Sequence, residues 1–134
     1  MNPDFSKYSL ALIKDNKVVF SSEKSGLRPL LECVLRFKSG REEIKDCILH
    51  DKVIGLAAAR IIMYSAMVSH VFTRTSSRPA KSLLEKNGIP VDAQETVGNI
   101  MNNEKSSICP MELKAISIED NELFFQNAKD VFGL

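Results

Sequence analysis

The polar triplet His50-Asp51-Lys52 is followed by the almost wholly apolar stretch VIGLAAARIIMYSAM at 53–67, and Arg60 is the only charged residue in that stretch. An apolar pattern with no polar face predicts a helix that is buried on every side, between a sheet and other elements. Its polar first turn would then face a crevice at the edge of the sheet, where α/β proteins commonly bind ligands. The stretch therefore predicts both an α/β fold and the position of a site.

The segments around this helix predict the sheet. Two strand-like runs at 9–13 and 18–22 flank a polar turn and predict an antiparallel hairpin. Apolar residues at helical spacing predict a first helix at 30–37. Short strands at 47–50 and 68–74, on either side of the buried helix, predict a crossover that joins parallel strands.

The remaining signals complete one domain over residues 1–134. A serine cap and Pro79 predict a helix at 80–86, which Asn87-Gly88 ends before a strand at 89–93. Pro110 favours the first position of another helix, and a last helix follows Asp120. The alternation of elements predicts a three-layer α/β/α fold with a mixed sheet and an added C-terminal helical segment.

Composition excludes several classes of protein. The chain has 134 residues, 44% hydrophobic and 26% charged, and its 18 basic and 17 acidic side chains give a net charge of +1. A general nucleic-acid or membrane-surface binder would carry a basic excess. The longest apolar run is shorter than the ~20 residues that span a bilayer. The first residues lack the pattern of a secretory signal, so we expect a cytoplasmic protein without membrane association.

The cysteines give no sign of a disulfide framework or of a zinc site. Cys33, Cys47 and Cys109 are odd in number, far apart, and form no CxxC pair. Reduced thiols in a reducing compartment are the expectation, with no metal and no cofactor.

The order of elements over about the first 95 residues resembles the cytidine-deaminase-like fold. In deaminases the buried helix opens with an HxE motif and the next helix opens with PCxxC, which together hold zinc and a proton-shuttling glutamate. In this chain the corresponding residues are His50, Lys52 and the segment Pro79-Ala80-Lys81-Ser82-Leu83. Both cysteine ligands are absent and Lys52 replaces the glutamate, so the resemblance implies a protein that works without zinc.

Three further motifs are similar to those of the DUF1893 family, small bacterial and archaeal proteins of unassigned function. These motifs are Asp51-Lys52 before VIGLAAA, the helix end EKNGI at 85–89, and CPME at 109–112. The resemblance covers nearly the whole chain. It implies a deaminase-like fold that lacks the zinc motifs.

The start of the buried helix supplies the first candidate ligand-binding residues. Asp51 and Lys52 either cap the helix and do nothing more, or bind an anion, since lysine is unexpected at the positive end of a helix dipole. Gly55 costs ~1 kcal/mol relative to alanine within a helix. It therefore indicates a close approach by a neighbouring element or by a ligand.

The start of the next helix supplies the others. Ser76, Ser77 and Arg78 offer hydroxyls, backbone N–H groups and a guanidinium, the set that recognises phosphate, although without a glycine-rich loop ordinary helix capping is the favoured explanation. Because the helices that follow parallel strands begin at one edge of the sheet, we expect both helix starts to line one anion-accepting site.

The candidate catalytic residues are Asp51, Lys52, Cys109 and Glu112. Cys109 precedes a helix start, where the dipole and nearby Lys105 would favour its thiolate, or it is a small buried cap. Glu112 either forms a capping box with its own helix or supplies a carboxylate to the crevice.

Three functions remain open. The first is zinc-independent binding of a small anionic metabolite or a nucleotide. The second is an enzyme that uses the candidate catalytic residues for acid–base or thiol chemistry. The third is a non-catalytic interaction module. Its C-terminal helix, with the stripe Leu123, Phe124, Ala128, Val131 and Phe132, would pack either on its own core or against a second subunit.

Overall fold

The computed structural model describes residues 1–38, 44–101 and 107–134. These residues form a mixed α/β fold with a six-stranded mixed sheet and five helices, consistent with the predicted three-layer α/β/α class. None of these helices is long and apolar enough to cross a membrane.

The predicted hairpin is present, shifted by one residue at most. Strands β1 (Leu10–Lys14) and β2 (Lys17–Ser22) pair antiparallel. Asp15 and Asn16 make the turn with φ values of 51° and 63°. Asp and Asn tolerate this left-handed conformation, which tight hairpins require. Helix α1 (Arg28–Lys38) follows the hairpin.

The centre of the sheet lies between β1 and β5. Strand β3 (Cys47–Asp51) pairs antiparallel with β1 and parallel with β5 (Val68–Ser77), so the predicted parallel pair is confirmed. The two-residue strand β4 (Val53–Ile54) pairs with the end of β5. Strand β6 (Val91–Val97) pairs parallel with β5 and completes the sheet.

Helix α2 is shorter than the predicted span of 53–67. It covers Leu56–Ser65, with Gly55 as N-cap and Ala66 as a left-handed C-cap. The prediction was wrong at the start because Val53 and Ile54 continue the apolar pattern but form β4 instead. Periodicity alone does not separate a short buried strand from the first turn of a buried helix.

The burial predicted for α2 is correct. Its residues Ala57, Ala59, Ile61 and Ile62 are at most 4% exposed. The helix contacts α1 and the three helices that follow it: α3 (Arg78–Lys86), α4 (Pro110–Ser117) and α5 (Asn121–Val131). It is therefore the element on which the other helices pack.

Arg60 is buried inside α2 and has a structural role. Its guanidinium donates to the carbonyl oxygens of Ala115, Ile118 and Glu119 and to the side chain of Asn121. The first two carbonyls belong to the C-terminal end of α4, whose last C=O groups have no partner within the helix. The single charge in the apolar helix thus fixes α4 and the start of α5.

Helix α5 packs mainly on its own chain. Phe124, Phe125 and Ala128 are at most 3% exposed and belong to the core, whereas Leu123 and Val131 are 64% and 54% exposed. The predicted stripe was therefore only partly correct. The aromatic residues at its centre are not available to a second subunit.

Candidate functional site

A cavity of about 500 Å³ opens at the N-terminal end of α2. Its walls come from residues 23–27, the end of β3, the start of α2, Ile100 and Met101, the start of α4, and Phe132. Five candidate residues from the sequence line it together: Asp51, Lys52, Gly55, Cys109 and Glu112. The structure therefore brings these five predicted residues together in one cavity.

Glu112 caps a helix other than its own. Its Oε1 accepts a hydrogen bond from the N–H of Leu56 at 2.9 Å, and its Oε2 accepts from the N–H of Ala57 at 2.6 Å. Free N–H groups and the dipole make a helix N-terminus a natural anion site. At α2 this site holds a carboxylate of the same chain. Of the two sequence-based alternatives for Glu112, a capping box on α4 or a carboxylate supplied to the crevice, the second agrees with its place in the cavity lining, but neither predicted its bonds to α2.

Gly55 leaves the room that the Glu112 carboxylate occupies. A Cβ at this position would lie 1.7 Å from Oε1 of Glu112 and 2.8 Å from Cγ1 of Ile100. Its φ of −103° is accessible to any residue, so the requirement is space and not backbone conformation. The close approach expected at Gly55 is thus made by a side chain of α4.

Asp51 and Glu112 are buried carboxyl groups, 7% and 6% exposed. Burial raises the pKa of Asp51 well above its ordinary value, although hydrogen bonds from the backbone of Val53 and Lys52 act in the opposite direction. Burial also raises the pKa of Glu112, opposed by the hydrogen bonds from Ala57 and Leu56. The cavity thus holds two carboxyl groups that bind protons more tightly than exposed ones do.

The sequence predicted that Asp51 and Lys52 lie in the first turn of α2. This prediction was wrong. Asp51 ends β3, and Lys52 lies between β3 and β4. The backbone of Lys52 is fixed, because its N–H donates to the carbonyl of Ser9 and its carbonyl accepts from Thr75. Its side chain is half-buried and makes no ion pair with any residue that the structure describes.

Cys109 is the N-cap of α4, with Pro110 in the first turn, as predicted. Its side chain makes no capping hydrogen bond and is partly exposed, whereas Cys33 and Cys47 are fully buried. Lys105, which the sequence suggested as its charged neighbour, lies outside the described residues.

The second predicted helix start lies apart from the cavity. Ser76, Ser77 and Arg78 are not among its lining residues. Ser77 caps α3 by accepting from the N–H of Ala80 at 3.2 Å, and the Ser76 hydroxyl bonds to the carbonyl of Ser77. Both serines are buried and Arg78 is exposed. The structure therefore does not bring the two helix starts into one site.

His50 contributes to the opposite face of the sheet from Asp51, because successive strand residues alternate. Its Nδ1 lies 2.7 Å from the Tyr8 hydroxyl, and its ring packs edge-on against Phe72. Burial lowers the pKa of His50, and the positive N-terminus adds to the effect. Within residues 1–38, 44–101 and 107–134, no three His, Cys, Asp or Glu side chains are placed to hold a metal ion.

Sequence reasoning missed two walls of the cavity. Residues 23–27 connect β2 to α1 and carry Glu23 and Lys24, and Phe132 follows α5. Arg28 holds Phe132 by a 2.7 Å hydrogen bond to its carbonyl and by packing over its ring. These contacts join residues more than 100 positions apart, and no local pattern signals them.

Comparison with sequence models of known protein families identifies the family of this chain. The model of the domain of unknown function DUF1893 matches residues 5–132. The chain belongs to the DUF1893 family. No curated protein matches it.

One solved DUF1893 structure has the same fold. The crystal structure of a DUF1893 family protein from Thermotoga maritima superposes with a TM-score of 0.79 at 23% sequence identity. The match covers 93% of this chain and 81% of the Thermotoga chain. The likeness supports the arrangement of strands and helices described above.

Proposed function

We propose that this DUF1893 protein binds a small polar metabolite in the cavity at the N-terminal end of α2, without zinc. The observation that carries the proposal is that Asp51 at the end of β3, the adjacent Lys52, and Glu112 of α4 line one cavity of about 500 Å³. This volume lies within the range of small-molecule sites, which combine mostly apolar walls with a few placed polar groups. The segment 79–83, which corresponds to PCxxC in the resemblance to deaminases, supplies no cysteine ligand.

An anionic group of such a metabolite, for example a nucleotide phosphate, would bind at Lys52. The start of α2 is already satisfied by Glu112. Lys24, the other lysine among the lining residues that the structure describes, is paired with Glu32 at 3.0 Å. Lys52 is therefore the cation of the cavity that is best placed to meet a ligand.

A panel of nucleosides, nucleotides and phosphorylated metabolites tests the proposal by isothermal calorimetry. Val53 lines the cavity and is 41% exposed, so Val53→Trp should obstruct it while the chain still folds. Val18, 47% exposed on β2 and outside the cavity lining, gives the matched control Val18→Trp. We expect at least one compound to bind the parent and Val18→Trp but not Val53→Trp. Binding by none, or equal binding to both variants, would refute the proposal.

An acid–base enzyme is the second candidate, because Asp51 is a buried carboxyl with a raised pKa in a cavity that Cys109 also lines. A thiol mechanism has less support, since no histidine is among the lining residues that the structure describes. Conversion of a bound compound during incubation, lost in Asp51→Asn, would favour the enzyme. Recovery of every bound compound unchanged would favour binding alone.

A further inference from the structure

We infer that Asp51 receives an N–H-bearing group of the ligand, such as an amine, an amidine or a nitrogen heterocycle, and that a compound whose only polar group is a carboxylate binds this cavity more weakly than one with an N–H-rich group. The inference rests on the proposed function and specifies its ligand class. It reverses the expectation, drawn from the helix start alone, of a site selective for anions.

The first step is that the N–H groups which would normally bind an anion at the start of α2 are already occupied. The N–H groups of Leu56 and Ala57 donate to Glu112 at 2.9 Å and 2.6 Å. A phosphate or carboxylate that approached them would have to displace a negatively charged side chain. The positive end of the α2 dipole is thus neutralised by the protein itself.

The second step is the free acceptor capacity of Asp51. Asp51 is among the lining residues and is 7% exposed, and hydrogen bonds from the backbone of Val53 and Lys52 oppose the rise of its pKa. An ionised carboxylate offers about four lone-pair positions, so acceptor positions remain for a ligand. A planar N–H pair such as an amidinium would match two carboxylate oxygens.

The third step is the balance of charge around the cavity. Among the residues that the structure describes, the lining has three acidic side chains, Glu23, Asp51 and Glu112, and two lysines, Lys24 and Lys52. Lys24 is paired with Glu32, which does not line the cavity. Around Asp51 the lining therefore favours a donor-rich or cationic group, and Lys52 is the place left for an anionic one. Leu27, Ala58 and Met111 supply apolar surface for a flat body attached to it.

Three probes of one shape and different charge test the inference by isothermal calorimetry: benzamidine, benzamide and benzoate. We expect benzamidine to bind at least tenfold more tightly than benzoate, with benzamide between them. Asp51→Asn should weaken benzamidine at least tenfold. Asp92→Asn, on the exposed surface of β6, should leave it unchanged.

A proton measurement on the unaltered protein gives an independent readout. Because burial raises the pKa of Asp51, a bound amidinium should release its proton, seen as a binding enthalpy that varies with the ionisation enthalpy of the buffer. Within residues 1–38, 44–101 and 107–134, the other titratable groups of the lining are Glu23, Lys24, Lys52, Cys109 and Glu112. Release should therefore be lost in Asp51→Asn and retained in Glu23→Gln.

The outcomes separate the two proposals. If benzoate binds as tightly as benzamidine and Val53→Trp blocks both, the cavity is a ligand site but the inference is wrong. If metabolites of the panel bind while benzamidine does not, the inference is wrong as well. If neither the panel nor any probe binds, both proposals fail.

Discussion

Glu112 and Arg60 each cap the helix that carries the other. Glu112 of α4 accepts from the first N–H groups of α2, and Arg60 of α2 donates to the carbonyls of Ala115 and Ile118 at the end of α4. Helix ends leave unpaired backbone groups, and these two buried charges satisfy them at both ends of the contact. The same contact places Glu112 and Cys109 in the wall of the cavity.

The fit between Gly55 and Glu112 predicts strong coupling. Glu112→Ala should lower the free energy of unfolding by about 1–2 kcal/mol, the usual value of a lost helix cap. Gly55→Ala should cost a similar amount, because its Cβ would lie 1.7 Å from Oε1 of Glu112 and expel the carboxylate. In the double variant the clash with the carboxylate is gone, so we expect a cost well below the sum. Urea unfolding measures all three.

The control for this cycle is Gly98→Ala. A Cβ at Gly98 would meet only Arg78 Nη1, at 3.9 Å, which is an ordinary contact. Its effect should therefore be small and should add to that of Glu112→Ala. An additive result for Gly55→Ala would contradict the described contact.

Arg60→Lys should destabilise the protein although the charge is kept. A lysine cannot reproduce the planar set of donors that bonds to Ala115, Ile118, Glu119 and Asn121. Hydrogen bonds to charged groups are worth roughly 1.5–3 kcal/mol, and we expect a loss of that order. Arg74→Lys, at an exposed position of β5, should change the unfolding free energy by less than about 0.5 kcal/mol. Equal effects of the two variants would exclude the structural role of Arg60.

Asp51→Asn should stabilise the unliganded protein at neutral pH. Since the folded pKa of Asp51 is raised above 3.8, the folded state holds this proton more tightly than the unfolded state. Its contribution to stability is then present at low pH and is lost as the pH rises through the folded pKa. We expect the variant to melt a few degrees above the parent at pH 7, with a smaller difference at pH 4. A difference that grows toward pH 4 would contradict the assignment.

Alkylation should be selective among the three cysteines. Cys109 is partly exposed at the start of α4, whereas burial raises the pKa of Cys33 to about 12 and raises that of Cys47 as well. Iodoacetamide at neutral pH should therefore modify Cys109 first, since the thiolate is the reactive form. Peptide mapping after a short exposure measures the order, and equal labelling of all three would refute it.

Local chemistry made much of the fold predictable. Four features each depend on residues only a few positions apart: the turn at Asp15-Asn16, the Ser77 cap, the helix end at Asn87-Gly88 and the position of Pro110. These interactions act within one turn, so the sequence shows them directly. Parallel pairing of β3 with β5 then followed from the crossover rule.

The site was only partly predictable because its contacts are distant in sequence. Glu112 reaches a helix start 56 residues earlier, and Phe132 is held by a residue 104 positions away. Gly55 indicated a close approach beside Leu56, but no local pattern identifies a carboxylate of α4 as the group that makes it. The start of α2 does bind an anion, as its free N–H groups suggested, but that anion is the Glu112 carboxylate of the same chain.

A crystallographic fragment screen tests the central claim most directly, because it can be carried out before the natural ligand is identified. The claim is that the cavity bounded by Asp51, Gly55 and Glu112 is the ligand site of this DUF1893 protein. We expect fragments to cluster there, with N–H donors directed at the Asp51 carboxyl group. Fragments that cluster elsewhere and leave this cavity empty would contradict the claim.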